Sequence, residues 1–181
     1  MSATNGWVNN QGVRLHYLDN LSTDQSLTPI VFIPGAFGSA ENYLDEFRAF
    51  APRRCIAISL RGRGRSDAPQ SGYTLQDHAA DITAVINKAH LSRFVLMAFS
   101  MGVPYAIQYC SQHSHLLAGF IIADYPAQFP ELSPEWVDRV LNTHPDKVKP
   151  HVVKTLFHEA SATSLWHSLG TIKCPTLILR I

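Results

Sequence analysis

Apolar residues along this 181-residue chain gather into short unbroken runs separated by stretches of helical period. Pro29-Ile30-Val31-Phe32-Ile33 is one such run, closed by Pro34-Gly35. Cys55–Ile58, Phe94–Ala98, Gly119–Ala123 and Pro175–Leu179 are the others. Strands buried on both faces have this character, and they belong to sheets covered by helices. Nearer the start, Trp7-Val8 and Val13–Leu18 flank Asn9-Asn10-Gln11-Gly12. The second of these segments alternates apolar and polar residues, which predicts a hairpin of half-exposed strands.

Helical periodicity fills the gaps. Ser39 is placed to cap a helix that carries Tyr43, Leu44, Phe47 and Phe50 on one face. Thr74, with Asp77 three residues on, resembles a capping box opening a helix through about Lys88. Its apolar positions Leu75, Ala79, Ile82, Val85 and Ile86 keep the 3.6-residue period. A further helix begins near Ser100 and carries Val103, Ala106, Ile107 and Cys110. Strand and helix thus alternate after an antiparallel start, which predicts the α/β class: a mostly parallel sheet with helices on both faces.

Residues 126–170 break the alternation. Pro130, Pro134, Pro145 and Pro150 divide this stretch into helical pieces, and Ser133-Pro134-Glu135 is a good helix start. The expected organisation is a core over 1–125, a helical insertion or lid over 126–170, and a core strand returning over 171–181.

Composition narrows the function classes. Apolar residues make up 46% of the chain and charged residues 16%, enough for a core and too little charge for disorder. A formal net charge of +1 gives no reason to expect nucleic acid or an anionic membrane as partner. The polar N-terminal stretch lacks the pattern of a signal peptide, and no apolar run approaches the ~18 residues that span a bilayer. Cys55, Cys110 and Cys174 are scattered among apolar residues, which favours reduced thiols and a cytoplasmic location.

The segment richest in chemistry is Ala98-Phe99-Ser100-Met101-Gly102, where a buried strand runs through a small-x-Ser-x-small turn directly into a helix. A serine in such a strained turn needs small flanking residues, because bulk there would strike the adjoining strand or helix. The turn lifts the hydroxyl clear of the sheet edge. It also sets the Met101 N–H at a helix N-terminus, where it can donate to an oxyanion. Ser100 as a simple helix N-cap is the structural alternative.

With this turn in place, the chain resembles the α/β-hydrolase superfamily in several segments taken in order. Ile30–Ser39 is similar to the family's strand and oxyanion loop, with Pro34 in place of a frequent histidine; the resemblance makes Ala36 the second backbone donor, and an ordinary glycine turn is the alternative. Ser59-Leu60-Arg61-Gly62-Arg63-Gly64-Arg65-Ser66 is similar to the family's D-x-R-G-x-G-x-S loop, with Ser59 replacing the aspartate. On that resemblance the arginine cluster is a structural loop, not a phosphate or nucleic-acid site. Ile172–Arg180 resembles the strand that returns after the lid.

The resemblance implies a serine hydrolase acting on a small ester, lactone or related carbonyl substrate, with no metal or organic cofactor. The pocket would lie between the sheet's carboxyl edge and the lid, lined by Phe37, Phe99 and Trp136. Asp124, after Ile121-Ile122-Ala123, is the candidate acid; capping the turn before Tyr125-Pro126 is the alternative.

Family order is serine, then acid, then histidine, and the sequence stops at Ile181 before either the usual acid or the histidine, so a later acid also stands as an alternative to Asp124. His144, His151 and His158 recur every seven residues, but Pro145 and Pro150 break any single helix through them, and solvated side chains are expected. The rival expectation is a truncated, catalytically inactive protein that binds a small molecule, or a partner chain through an exposed sheet edge near Leu177–Leu179. A carbon–halogen or epoxide hydrolase is disfavoured, because those enzymes usually carry aspartate where Ser100 stands.

Overall fold

The structure, a computed structural model, describes residues 3–145 and 148–180. Strands β1 (Thr4–Asn10) and β2 (Val13–Asp19) form the antiparallel hairpin. Then follow β3 (Ile30–Ile33), α1 (Leu44–Ala49), β4 (Cys55–Ser59), α2 (Leu75–Lys88), β5 (Phe94–Phe99), α3 (Gly102–His113) and β6 (Leu117–Ala123). After these come β7 (Gln128–Phe129), α4 (Pro134–Thr143), α5 (Pro150–Glu159), β8 (Thr163–Ser164), α6 (Trp166–Thr171) and β9 (Thr176–Leu179).

Seven strands make one sheet in the order β1-β2-β4-β3-β5-β6-β9, parallel from β4 onward. The β5 strand that leads to Ser100 is therefore flanked by β3 and β6. Both faces are covered. On one, α2 and α3 press Ile82, Val85, Ile86, Val103, Ala106 and Ile107 against Val31, Ile56, Leu96 and Phe120. On the other, Tyr43 and Phe47 pack on Ile30, Phe32, Cys55 and Ala57.

Two local expectations need correction. In the hairpin β1 is half-exposed as expected, but every β2 residue except Arg14 is buried, because β1, β4 and the following layer cover it. The segment after Ser39 opens as a 3-10 turn over Ala40–Tyr43 before α1, so Leu44 and Phe50 fall outside the buried face and stand exposed. Helix α3 starts at Gly102, near Ser100 as expected.

The arginine loop is the polar centre of the core. Asp81, fully buried on α2, accepts from Arg61 Nε and Nη2 at 2.8 and 2.7 Å, from the Arg61 N–H at 3.1 Å and from Asn10 Nδ2 at 2.8 Å. The two charges are desolvated together, so each depends on the other to offset its burial. Ser59, where the resembled loop has aspartate, is also fully buried; its hydroxyl accepts from the Ala40 N–H at 3.0 Å. A neutral side chain meets that orphan N–H without adding a buried charge.

Helices α4 and α5 sit over the end of the sheet where β3 and β5 emerge. Their shared apolar cluster is Val137, Val140, Val148 and Val153, with Phe37 reaching into it from the core. Three side chains of α5 stitch it to the loop before α2. Glu159 accepts from the N–H groups of Gly72 and Tyr73, the His151 ring bonds the Ala68 carbonyl at 3.1 Å, and Thr155 donates to the Gln70 carbonyl at 3.3 Å. At the far side of the sheet β9 pairs with β6 and leaves Leu177 and Ile178 52% and 65% exposed. Among the described residues no helix is long and apolar enough to cross a membrane.

Replacing Asp81 by asparagine leaves Arg61 buried with one oxygen acceptor in place of a carboxylate. The expected loss is on the order of 3 kcal/mol. It is read as a lower urea midpoint at unchanged slope, and an unshifted midpoint would show that the pair carries no net stability.

Candidate active site

Ser100 stands at the C-terminal end of β5 with φ at +49°, in the left-handed region that non-glycine residues seldom adopt. Its N–H continues the sheet by donating to the Ala123 carbonyl at 2.9 Å, and its carbonyl accepts from Val103 N–H at 2.8 Å as α3 begins. Met101 occupies the N-cap position of α3, so Ser100 is the apex of the turn and not the cap.

Two glycines make the apex possible. A Cβ on Gly102 would lie 2.4 Å from the Pro34 carbonyl oxygen and 3.0 Å from that of Ile33. A Cβ on Gly35 would lie 3.2 Å from Ser100 Cβ. The turn after β5 and the loop after β3 are in contact along their backbones, which brings Ala36 beside Ser100.

Two cavities meet there, and Ala36 and Ser100 line both. One, of about 640 Å³, is walled by Phe37, Tyr43, Met97, Phe99 and Leu179, with Glu46 and His144 also at its surface. The other, of about 410 Å³, is walled by Met101, Tyr125, Leu132 and Trp136, with Glu131 and Arg139 as its charged members. Ser100, Met101, Ala36, Phe37, Phe99 and Trp136 are thus gathered around one point. Asp124 is not among them. It follows β6 in a left-handed conformation of its own, with φ at +57°; its N–H donates to the Leu179 carbonyl at 2.9 Å, and its side chain is exposed. His144 is solvent-exposed, as expected of the lid histidines, yet it borders the larger cavity. Among the described residues no three His, Cys, Asp or Glu side chains cluster as metal ligands.

Behind the Ala36 loop lies a buried polar group that sequence patterning does not single out. Arg63 donates through Nε to the Ala36 carbonyl at 2.8 Å and through Nη1 to the Arg61 carbonyl at 2.7 Å. The same Nη1 is 2.8 Å from His78 Nε2. His78 Nδ1 is 2.7 Å from the Thr74 carbonyl, which can only accept, so Nδ1 carries the proton and Nε2 accepts from Arg63. The His78 ring stacks on Tyr105 at 4.0 Å. Burial, and then the Arg63 charge, hold the His78 imidazole well below the ordinary histidine value. The visible signal for this group is the R-G-R-G-R run itself, but its second arginine only acquires meaning when α2 brings His78 against it.

Comparison with known proteins agrees with the fold of this sheet and its covering helices. The profile of the alpha/beta hydrolase fold family matches residues 28–153. The chain belongs to the alpha/beta hydrolase fold family. Within that family it is similar to the AB hydrolase superfamily protein YisY of Bacillus subtilis, 36% identical over 87 residues, which are 47% of this chain and 32% of that protein. It is similar to epoxide hydrolase 1 of Caenorhabditis elegans, 29% identical over 117 residues, or 63% of this chain and 28% of the other. Among solved structures, an esterase from Exiguobacterium antarcticum superposes with a TM-score of 0.80 at 20% identity, covering 97% of this chain and 80% of its own. The chain spans about a third of the length of the curated alpha/beta hydrolases it matches.

Two measurements follow from this geometry. Gly102→Ala forces a methyl into the Pro34 and Ile33 carbonyls and is expected to cost about 1–3 kcal/mol, whereas Gly170→Ala, where a Cβ meets nothing within 4 Å, is expected to leave the melting temperature near wild type. Equal melting temperatures would mean that the two loops are not in contact. His78 generates the second. Its folded-state pKa is depressed, so the unfolded chain takes up a proton first as pH falls. Stability is full above the unfolded value of about 6.5 and is lost below it, at up to about 1.4 kcal/mol per pH unit from this group. His78→Gln is expected to flatten the slope of unfolding free energy between pH 6.5 and 5, and an unchanged slope would show His78 protonated in the native state.

Proposed function

We propose that this chain is the serine-bearing part of a hydrolase acting on a small ester, lactone or related carbonyl compound. The observation that carries the reading is Ser100 at a left-handed turn, shared by two cavities, with the Met101 N–H on one side and the Ala36 loop on the other. In this reading Ser100 Oγ attacks the substrate carbonyl carbon and passes its proton to an imidazole. The Met101 and Ala36 N–H groups receive the negative charge on the former carbonyl oxygen, where fixed donors contribute most because they need no reorganisation. Collapse of the tetrahedral centre breaks the carbon–oxygen bond. The leaving alkoxide takes the proton back from the imidazolium, and water then repeats the sequence on the acyl-serine.

The apolar walls of the larger cavity, Phe37, Met97, Phe99 and Leu179, suit an aliphatic or aromatic group on one side of the scissile bond. The smaller cavity, with Trp136 above it, takes the other side. Asp124 orients the imidazole if the Asp124 side chain turns inward from its exposed position. That exposed position also favours the second reading, a binding protein with a silent serine.

The test is intact mass after exposure to an alkyl fluorophosphonate, which reacts with an activated serine by forming an O–P bond and releasing fluoride. One adduct on the wild type and none on Ser100→Ala is the expected result. Absence of an adduct on folded wild-type protein would show that no imidazole activates Ser100 in this chain, leaving the binding reading for it.

A further inference from the structure

We propose that Arg63 is a positioning residue for the oxyanion: it holds the Ala36 carbonyl away from Ser100, so that the loop after β3 offers N–H groups and not oxygen to the reacting carbonyl. This rests on the serine-hydrolase reading of Ser100 given above.

Four observations carry it. Arg63 is 3% exposed, and among the described residues no carboxylate oxygen lies within the 4.0 Å of an ion pair to its guanidinium. Arginine keeps its charge in proteins, so this is a desolvated cation offset by neutral groups alone: carbonyl oxygens, an imidazole nitrogen and the nearby Tyr105 hydroxyl. Its neighbour Arg61 is fully matched by Asp81, so the two arginines of one loop are treated oppositely. A structural arginine gains most from a carboxylate; one that lacks it next to a site of developing negative charge leaves its field available there.

The second observation is the bond itself. Nε meets the Ala36 carbonyl at 2.8 Å, on the residue that also lines both cavities. Rotation of the Ala36–Phe37 peptide would swing that oxygen toward the cleft and oppose an oxyanion. The third is that the guanidinium is itself fixed, by the Arg61 carbonyl and by His78 Nε2 at 2.7 and 2.8 Å. The imidazole must be neutral to accept that bond, which matches its burial on α2. The fourth is that Nη2 is buried without a hydrogen-bond partner of good geometry, although the Tyr105 hydroxyl lies within reach of the guanidinium. Its guanidinium carbon also lies 5.7 Å from the Phe37 ring centroid, which puts the charge directly behind the loop.

The test compares wild type, Arg63→Met, Arg63→Lys and Ile82→Ala. Ile82 is fully buried on α2 but outside the Arg63 bonds, and it supplies a loss of melting temperature with no change at the loop. Rates of fluorophosphonate labelling are measured with each, together with amide hydrogen exchange of the segment 34–38. Removal of a whole oxyanion donor costs about 10²–10³ in rate, so turning the Ala36 carbonyl oxygen toward the oxyanion is expected to slow labelling of Arg63→Met by about 10–100-fold. Arg63→Lys should recover most of that, and Ile82→Ala should label at the wild-type rate. Exchange at 34–38 should quicken about tenfold in Arg63→Met alone. If Arg63→Met does not fold, Arg63→Gln takes its place.

Wild-type labelling and exchange in folded Arg63→Met would overturn the proposal, as would an equal slowing in Ile82→Ala. A wild type that takes no label would show Ser100 unactivated in this chain, which counts against the hydrolase reading and not this one. The exchange of segment 34–38 then decides alone whether Arg63 holds the loop: confined quickening supports it, and unchanged exchange refutes it.

Discussion

The architecture turns on one backbone-to-backbone approach. Where α3 begins, Gly102 lies against the carbonyls of Ile33 and Pro34, in a space that no side chain can share. That contact brings the exits of β3 and β5 together. It sets the angle at which α3 leaves the sheet and holds Ser100 in a conformation its own residue type does not favour. The strain at Ser100 persists because strands on both sides pair with β5 along its length. A weaker sheet would let the turn relax, and the hydroxyl would no longer stand between the two cavities.

The polar interior follows from the same crowding. A sheet covered on both faces has no water to satisfy the loops that leave its ends, so each buried donor needs a built-in acceptor. Asp81 serves Arg61 and Asn10, Ser59 serves the N–H of Ala40, and Glu159 serves Gly72 and Tyr73. Arg63 is matched differently, a cation supported by carbonyls and a neutral imidazole. It stands behind the Ala36 loop, which lines both cavities.

Much of this fold is legible in the amino-acid sequence. Buried strands announce themselves as unbroken apolar runs, and β3, β4, β5 and β6 fall where those runs lie; β9 has the same pattern but is exposed, because β6 is the one strand it pairs with among the described residues. The capping box at Thr74 and the helix through Lys88 are local signals with local causes, and both are present. What the pattern does not reveal depends on partners remote along the chain. The burial of His16 and of β2 is decided by β4 and by Ser59 and Ser66, 43 and 50 residues away from His16. The exposure of Phe50 and Leu44 comes from a 3-10 turn that shifts the helical face by less than a turn, which periodicity does not resolve. At the site, the small-x-Ser-x-small turn is readable, because its steric demand is written in adjacent residues. The Arg63–His78 bond is not, since fifteen residues and a loop separate its two members.

The attachment of the helical segment has an evolutionary consequence. Helix α5 is fastened to the core by Glu159, His151 and Thr155, all of which reach the loop before α2. Helix α4 is held mainly through a small apolar cluster of its own, in which Val137 and Val140 meet Val148 and Val153. Its outer residues, Trp136 and Arg139 among them, wall the smaller cavity without entering the serine turn. Drift in α4 therefore remodels what the cavity admits while the machinery beneath is left alone. Selection can change the lock's wards without recutting the bolt.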